Sequence, residues 1–89
     1  MEIREKVSFN GKNGFHARPA GIFSKKAKTY SSSITLAKGG DSPKEADGKK
    51  LLQLMKLDIK DTDELYLIAK GDDADVACAE LKEMMLGLS

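Results

Sequence analysis

The sequence has few of the residues on which disulfide bonds and metal sites depend. Its 89 residues include one cysteine, Cys78, one histidine, His16, and no tryptophan. A single cysteine excludes an internal disulfide and a cysteine-based zinc site, and a single histidine excludes the common two-histidine metal sites. We therefore expect no metal and no other cofactor. We interpret Cys78 as a packing residue of a C-terminal helix.

An excess of charge of one sign and long apolar runs are lacking as well. Fifteen Lys and Arg residues against 14 Asp and Glu residues give a net charge of +1. Nucleic-acid binders usually have a larger basic excess or a recognisable motif, so we expect no nucleic-acid partner. No run approaches the ~20 apolar residues of a membrane span, and residues 1–6 lack the apolar part of a signal peptide. We expect one domain, residues 1–89, in the cytoplasm and without a membrane partner.

Hydrophobic periodicity predicts seven elements in the order β-α-β-β-α-β-α. Alternation predicts strands over residues 3–9, 33–37 and 64–70, with a short return strand near residues 42–46 after a Gly-Gly-Asp turn. Helical spacing predicts helices over residues 17–29, 49–57 and 74–86. In the first helix, the apolar stripe consists of Phe23, Ala27 and Tyr30, with Ala20 and Ile22 beside it. The order predicts an α+β fold in which three helices cover one face of a four-stranded antiparallel sheet.

The candidate functional site is the segment from Asn13 to Ala20. A loop with glycine leads into a helix whose first turn contains His16, Arg18 and Pro19, and proline suits that turn. A helix start offers unpaired N–H groups and a partial positive charge, so it binds phosphate readily. The Arg18 guanidinium matches phosphate oxygens, and a neutral imidazole is nucleophilic. The residues favour a phosphoryl-accepting histidine, although a surface or capping role for His16 stays open on their evidence alone.

The string Gly14-Phe15-His16-Ala17-Arg18-Pro19-Ala20 resembles the active-site signature of the HPr family, the histidine-containing phosphocarriers of the bacterial phosphotransferase system. The resemblance covers essentially the whole chain and implies an open-faced β-sandwich. It implies that enzyme I phosphorylates Nδ1 of His16, which then passes the phosphoryl group to an enzyme IIA domain. It also implies that Arg18 steadies the phosphoryl oxygens. The resemblance further implies a phosphoryl-stabilising group made of Asn13, Ala17 and Pro19.

The second predicted helix has more apolar residues than one buried face can hold. Leu54 and Leu57, three residues apart, are assigned to the core. We predict that Leu51, Leu52 and Met55 are exposed and form a docking surface; the alternative is that they lie under the loop of residues 38–44. The matching positions of HPr-like proteins form a docking surface, which favours exposure. We predict that a basic rim around it speeds encounters with acidic partners, formed with Arg18 by Lys25, Lys28, Lys49 and Lys56.

Three positions depart from the resemblance. Lys50 stands where many HPr proteins of Gram-positive bacteria have a regulatory serine, which implies that this chain is not regulated by phosphorylation at that position; whether such regulation was lost or never present stays open. Asp58 stands where the family often has glycine, and a similar aspartate occurs in the nitrogen-related branch. Gly21 lowers the helix propensity of the first helix by about 1 kcal/mol, for no reason that the sequence provides.

The expected function is therefore a monomeric phosphocarrier for sugar uptake rather than a stand-alone enzyme. Two alternatives remain open. The first is a regulatory phosphocarrier of the nitrogen-related kind. The second is a non-catalytic binding module that uses the surface of Leu51, Leu52 and Met55.

Overall fold

Seven elements make up the fold in a computed structural model, which describes residues 1–9, 14–40, 43–60 and 63–88. In chain order they are β1 (Glu2–Val7), α1 (Ala17–Ala27), β2 (Ser33–Lys38), β3 (Lys44–Asp47), α2 (Leu51–Lys56), β4 (Leu65–Lys70) and α3 (Ala74–Gly87). The predicted order of elements is confirmed. Some predicted bounds are wrong, because β1 ends at Val7, α1 ends at Ala27 and α2 has only six residues.

The four strands form one antiparallel sheet in the order β1-β4-β2-β3. The strand β4 lies between β1 and β2, so Leu67 pairs with Glu5 on one side and with Leu36 on the other. Helix α3 packs against β1 and β4, and α1 contacts both α2 and α3. The predicted fold class, an α+β open-faced sandwich, is confirmed. No helix in the described part of the chain has the length and apolarity needed to cross a membrane.

The core lies between the helices and the inner face of the sheet. Its largest fully buried side chains include Phe23 of α1, Leu54 of α2 and Leu81 of α3. Cys78 is 1% exposed, and burial raises the pKa of its thiol. A buried thiol of raised pKa is a poor nucleophile, so the prediction that Cys78 is a packing residue is confirmed.

One residue of the predicted stripe on α1 lies on the other side of the helix. Ile22 is 39% exposed, and its assignment beside the buried stripe is wrong. The buried face of α1 instead includes Pro19, Ala20, Phe23 and Ser24. Because successive helical residues are about 100° apart, Ile22 shares a face with residues 18 and 26 and points away from the sheet.

Glu5 shares one face of β1 with Ile3 and Val7, and this charged residue is accommodated without a break in the strand. Glu5 is half-buried, and its carboxylate lies 3.1 Å from the ammonium group of Lys82 on α3. Both side chains remain more than 40% exposed, so the pair adds little stability. The ion pair nevertheless lets a charged residue occupy the alternation that buries Val7 and the following Phe9.

Candidate functional site

The segment before α1 is held against the residues that follow α2. Gly14 has φ +78°, and a Cβ atom there would lie 3.0 Å from the carbonyl oxygen of Ile59. Both the left-handed conformation and this close approach favour glycine. The amide of Phe15 donates to the same oxygen at 3.1 Å. The Phe15 ring is buried edge-on against the rings of Phe9 and Phe23, and these contacts position the backbone that enters His16.

His16 is the N-cap residue of α1, and its side chain is exposed. Its backbone is extended, with φ −82° and ψ −168°, and its carbonyl accepts the amide of Ala20 at 3.0 Å. The ring atom Nδ1 accepts the backbone N–H of Arg18 at 3.4 Å, which is long for a hydrogen bond. Since Nδ1 is the acceptor, the hydrogen-bond geometry assigns the proton of the neutral ring to Nε2. The nucleophilic lone pair therefore lies beside the helix start.

The start of α1 is suited to a negatively charged group. Its first turn has no acidic residue, and Ala17 and Arg18 are exposed there. The Ala17 amide meets no acceptor among residues 1–9, 14–40, 43–60 and 63–88, while Pro19 is buried and has no N–H group. A phosphoryl group on Nδ1 would therefore lie beside backbone donors and the positive end of the helix dipole.

The structure thus brings four of the predicted site residues together at one helix end. His16, Ala17, Arg18 and Pro19 occupy consecutive positions there. The fifth, Asn13, lies outside the described residues. In the part of the chain that the structure describes, no group of three His, Cys, Asp or Glu side chains is arranged to bind a metal ion.

Helix α2 has the two faces that its sequence predicts. Leu54 and Leu57 are 0% and 2% exposed, whereas Leu51, Leu52 and Met55 are 36%, 71% and 39% exposed. The predicted exposure of the last three is confirmed, and we call them the apolar patch. Because Ile59 contacts Phe15 shortly after α2 ends, Met55 lies toward the end of α2 nearest the histidine.

The lysines of the predicted rim are spread along the helices. Lys25 and Lys28 are exposed on the last turn and at the C-cap of α1, and Lys56 is exposed at the end of α2. Lys49 is half-buried, and its ammonium group donates to the carbonyl of Tyr30 at 2.8 Å. Tyr30 follows the C-terminal end of α1, about 20 Å from His16 at 1.5 Å per helical residue. Lys49 lies two residues before Leu51 of the apolar patch, with its ammonium group bound to a backbone carbonyl.

The start of α2 has no side-chain cap at its N-cap residue. Lys50 is its N-cap residue, is exposed and makes no side-chain capping bond. Instead, the Asp47 carboxylate accepts the Lys49 amide at 3.0 Å, and the Gln53 side chain accepts the Asp47 amide at 2.9 Å. These bonds pair two amides that precede the helix, and through Gln53 they tie the segment before Lys50 to the first turn of α2.

Two supports of the site are absent from the sequence-based prediction. One is the carbonyl of Ile59, which receives Phe15. The other is Asp58, which has φ +53° and is the only non-glycine residue with positive φ among the described residues. The glycine commonly found at this position in the HPr family was the one available signal that the backbone is left-handed there.

Fold and site together define a class of protein: a small open-faced sandwich that presents one exposed histidine at the start of a helix, with its Nδ1 atom turned toward the first turn. The family described as "PTS HPr component phosphorylation site" matches residues 3–86 of the chain. The chain belongs to this HPr family. Its members are phosphocarriers of the phosphotransferase system and take part in phosphoryl transfer as components rather than as enzymes.

Proteins from several bacteria are similar over nearly the full length of the chain. The phosphocarrier protein HPr of Borreliella burgdorferi is 37% identical over 83 residues, which are 93% of each protein. The HPr-like protein Crh of Bacillus subtilis is 34% identical over 79 residues, or 89% of each. A solved structure of a mycoplasma histidine-containing phosphocarrier has a TM-score of 0.84 at 32% identity and covers 93% of this chain and 91% of that one.

Proposed function

We propose that the chain accepts a phosphoryl group from phosphorylated enzyme I on Nδ1 of His16 and donates it to a histidine of an enzyme IIA domain, in the cytoplasm. One observation supports this above all others. His16 is exposed, and its Nδ1 accepts the Arg18 amide at the start of α1. The nucleophilic atom therefore already faces the donors that a transferred phosphoryl group needs.

The transfer is a displacement between two imidazole rings. The Arg18 amide releases the lone pair on Nδ1, which attacks phosphorus, and the new N–P bond forms as the N–P bond to the partner's histidine breaks; the released amide is then available to a phosphoryl oxygen. No proton has to leave Nδ1, because the proton of the neutral ring is on Nε2. The Ala17 and Arg18 amides, the helix dipole and the Arg18 guanidinium then disperse charge on the phosphoryl oxygens. Asn13 and Pro19 complete this proposed stabilising group.

The apolar patch is the surface that we propose for docking both partners. A six-residue helix on a sheet buries Leu54 and leaves Leu51, Leu52 and Met55 exposed, and exposed apolar clusters mark interaction sites. Lys25 and Lys28, exposed at the C-terminal end of α1, and Lys56, exposed at the end of α2, would speed encounters with acidic partners. Because the patch serves transient partners, we propose that the protein works as a monomer.

The phosphoryl group has two candidate uses: sugar uptake, which we propose first, and a regulatory output of the nitrogen-related kind. Asp58 favours the second. Asp58 keeps a left-handed backbone where the family often has glycine, and a similar aspartate belongs to the nitrogen-related branch. The two outputs share the chemistry at His16 and differ in the acceptor. In a competition experiment, the phosphorylated protein is mixed with a sugar-specific IIA domain and a nitrogen-related IIA domain. The domain that receives the phosphoryl group faster identifies the output.

The decisive experiment is phosphorylation by enzyme I and phosphoenolpyruvate. We expect the wild-type protein to gain one phosphoryl group that is labile in acid and stable in base, as a phosphoramidate is. The matched His16→Ala protein should gain none. Absence of label on folded wild-type protein would reject the proposal and leave the binding module as the remaining function.

A further inference from the structure

Lys38, the last residue of β2, directs its ammonium group at the segment that follows α2. Its Nζ donates to the carbonyl oxygens of Leu57 at 3.2 Å and Asp58 at 3.1 Å, and lies 3.5 Å from the Asp63 carboxylate. The side chain is 18% exposed. Carbonyl groups at a helix C-terminus have no partner within the helix, and Lys38 supplies one from another element.

The segment that follows α2 has a strained backbone at Asp58, which a hydrogen-bond donor from another element can stabilise. Asp58 has φ +53°, in the left-handed region that glycine adopts without steric cost and other residues do not. Lys38 binds the carbonyls of Asp58 and of the residue before it. On the other side of the ammonium group, Asp63 accepts the Lys60 amide at 2.8 Å and donates its own amide to the Lys60 carbonyl at 3.1 Å. Lys38 therefore links the residues that follow α2 to Asp63.

The turn leads directly to the backbone of the phosphorylation site. Ile59 follows Asp58, is 1% exposed, and receives the Phe15 amide on its carbonyl oxygen at 3.1 Å. Gly14 approaches the same oxygen so closely that a Cβ atom would lie 3.0 Å away. A shift of the Ile59 carbonyl would consequently move the residue that precedes His16.

We propose that Lys38 is a positioning residue for phosphoryl transfer, acting through the turn of residues 57–59 and Phe15 on the orientation of His16. The proposal rests on the phosphocarrier function. Lys38 touches no reacting atom; it sets the backbone from which Nδ1 faces the Arg18 amide. Misplacement of a reacting group by about 1 Å can slow a reaction by up to about 100-fold, so loss of this contact should slow transfer by roughly tenfold.

The test compares Lys38→Met, which keeps the apolar stem and removes the charge, with Lys44→Met as the matched control. Lys44 pairs with Lys38 in the β2–β3 ladder and is exposed. Among the residues that the structure describes, the Lys44 side chain has no hydrogen bond or ion pair. For transfer from enzyme I, we expect Lys38→Met to lower kcat about tenfold with an unchanged KM, because the docking surface is intact. Lys38→Arg, which keeps a cation, should restore kcat, and Lys44→Met should match wild type.

Amide hydrogen exchange separates positioning from a general loss of stability. In Lys38→Met, the Phe15 amide should exchange faster while the central β4 amide of Leu67 keeps its protection. Wild-type kcat in Lys38→Met, or an equal loss of protection at Phe15 and Leu67, would overturn the proposal. If Lys38→Met does not fold, Lys38→Gln is judged by the same two measurements. If enzyme I and phosphoenolpyruvate do not phosphorylate the wild-type protein, the phosphocarrier function itself is rejected. Failure of that function is therefore distinguishable from failure of the proposal about Lys38.

Discussion

The two ends of α1 differ in how their polar groups are paired. At the N-terminal end, the exposed His16 side chain makes one long hydrogen bond with the residues that the structure describes, 3.4 Å from Nδ1 to the Arg18 amide. Beyond the C-terminal end, the amides of Ser31 and Ser32 each donate to the Asp73 carboxylate at 2.9 Å, and the Ser32 hydroxyl donates to it as well. The hydroxyl bond from Ser32, with the backbone bond from Ser31, lowers the pKa of Asp73 to about 2.

Further contacts close the same C-terminal end. The Tyr30 hydroxyl donates to Glu80, and burial together with this bond raises the pKa of the phenol. The Lys49 ammonium group binds the Tyr30 carbonyl at 2.8 Å. Gly71 has φ +145°, and a Cβ atom there would lie 2.6 Å from the Ser32 hydroxyl. One end of the helix is therefore closed by the protein's own side chains, while the other presents an exposed histidine beside the first-turn amides.

The largest expected contrast between the ends is in activity. His16→Ala should abolish phosphorylation and change the free energy of unfolding by no more than about 0.5 kcal/mol, because an exposed residue with one weak bond contributes little. Labelling from phosphoenolpyruvate and thermal unfolding by circular dichroism measure the two effects. A drop of several kcal/mol would show that the open end also stabilises the fold.

A charge placed on the apolar patch should reduce phosphoryl transfer and leave the contacts at both ends of α1 unchanged. We expect Met55→Glu to lower kcat/KM with enzyme I by roughly tenfold to a hundredfold, the usual cost of losing an interface anchor, and to leave the Tm near that of wild type. Val76→Glu is the matched control, since Val76 is 49% exposed on α3. Equal kinetics in the two variants would remove Met55 from the docking surface.

At the closed end, Asp73→Asn should lower the Tm by several degrees and leave phosphorylation intact. The folded pKa of Asp73, about 2, is below its ordinary value of 3.8, so the native state favours the carboxylate. Its contribution is complete above about pH 4 and is lost as the pH falls toward 2. Thermal unfolding of both proteins across this range should show the Tm gap closing. A gap that is constant with pH would mean that the carboxylate charge does not matter.

The last two predictions concern stability alone, at Gly21 within α1 and at Gly48, which lies against Ile34 and Phe23. A Cβ atom on Gly21 would meet nothing within 4 Å, so Gly21→Ala should stabilise the protein by about 0.4–1 kcal/mol. A Cβ atom on Gly48 would lie 2.7 Å from Ile34 and 3.0 Å from Phe23, so Gly48→Ala should destabilise it by about 1–3 kcal/mol. Urea unfolding measures both. If Gly21→Ala instead slowed transfer, Gly21 would be part of the docking surface rather than a tolerated gap in propensity.

The parts of the fold that were predicted correctly depend on local periodicity. The alternation of Leu65, Leu67 and Ala69 predicts β4, and the same residues are buried. The end of β1 was missed because it depends on a partner: Val7 pairs with Leu65, the first residue of β4, and the ladder stops there. Phe9 continues the buried alternation but packs against Phe15 instead of joining the sheet.

The residues that support the site could not be predicted for a related reason. No sequence motif distinguishes Lys38 from the other lysines. The carbonyl groups that it binds lie 19 and 20 residues away in the chain. Asp73 meets Ser32 across 41 residues. Such contacts depend on how strands and helices are stacked, which no local pattern records. Ile22 was misassigned because periodicity identifies a stripe and cannot tell which flank of it the neighbouring helices cover.

His16 and its signature, the order of the elements and the two faces of α2 were determined by the sequence alone, since each depends on residues within one or two helical turns. The tertiary structure decided that the Ile59 carbonyl receives Phe15, that Lys38 binds the turn containing Asp58, and that Lys49 lies at the end of α1 remote from the histidine. The reason is physical. A histidine at a helix start is a local arrangement, whereas holding that helix start in place requires groups that only folding brings together.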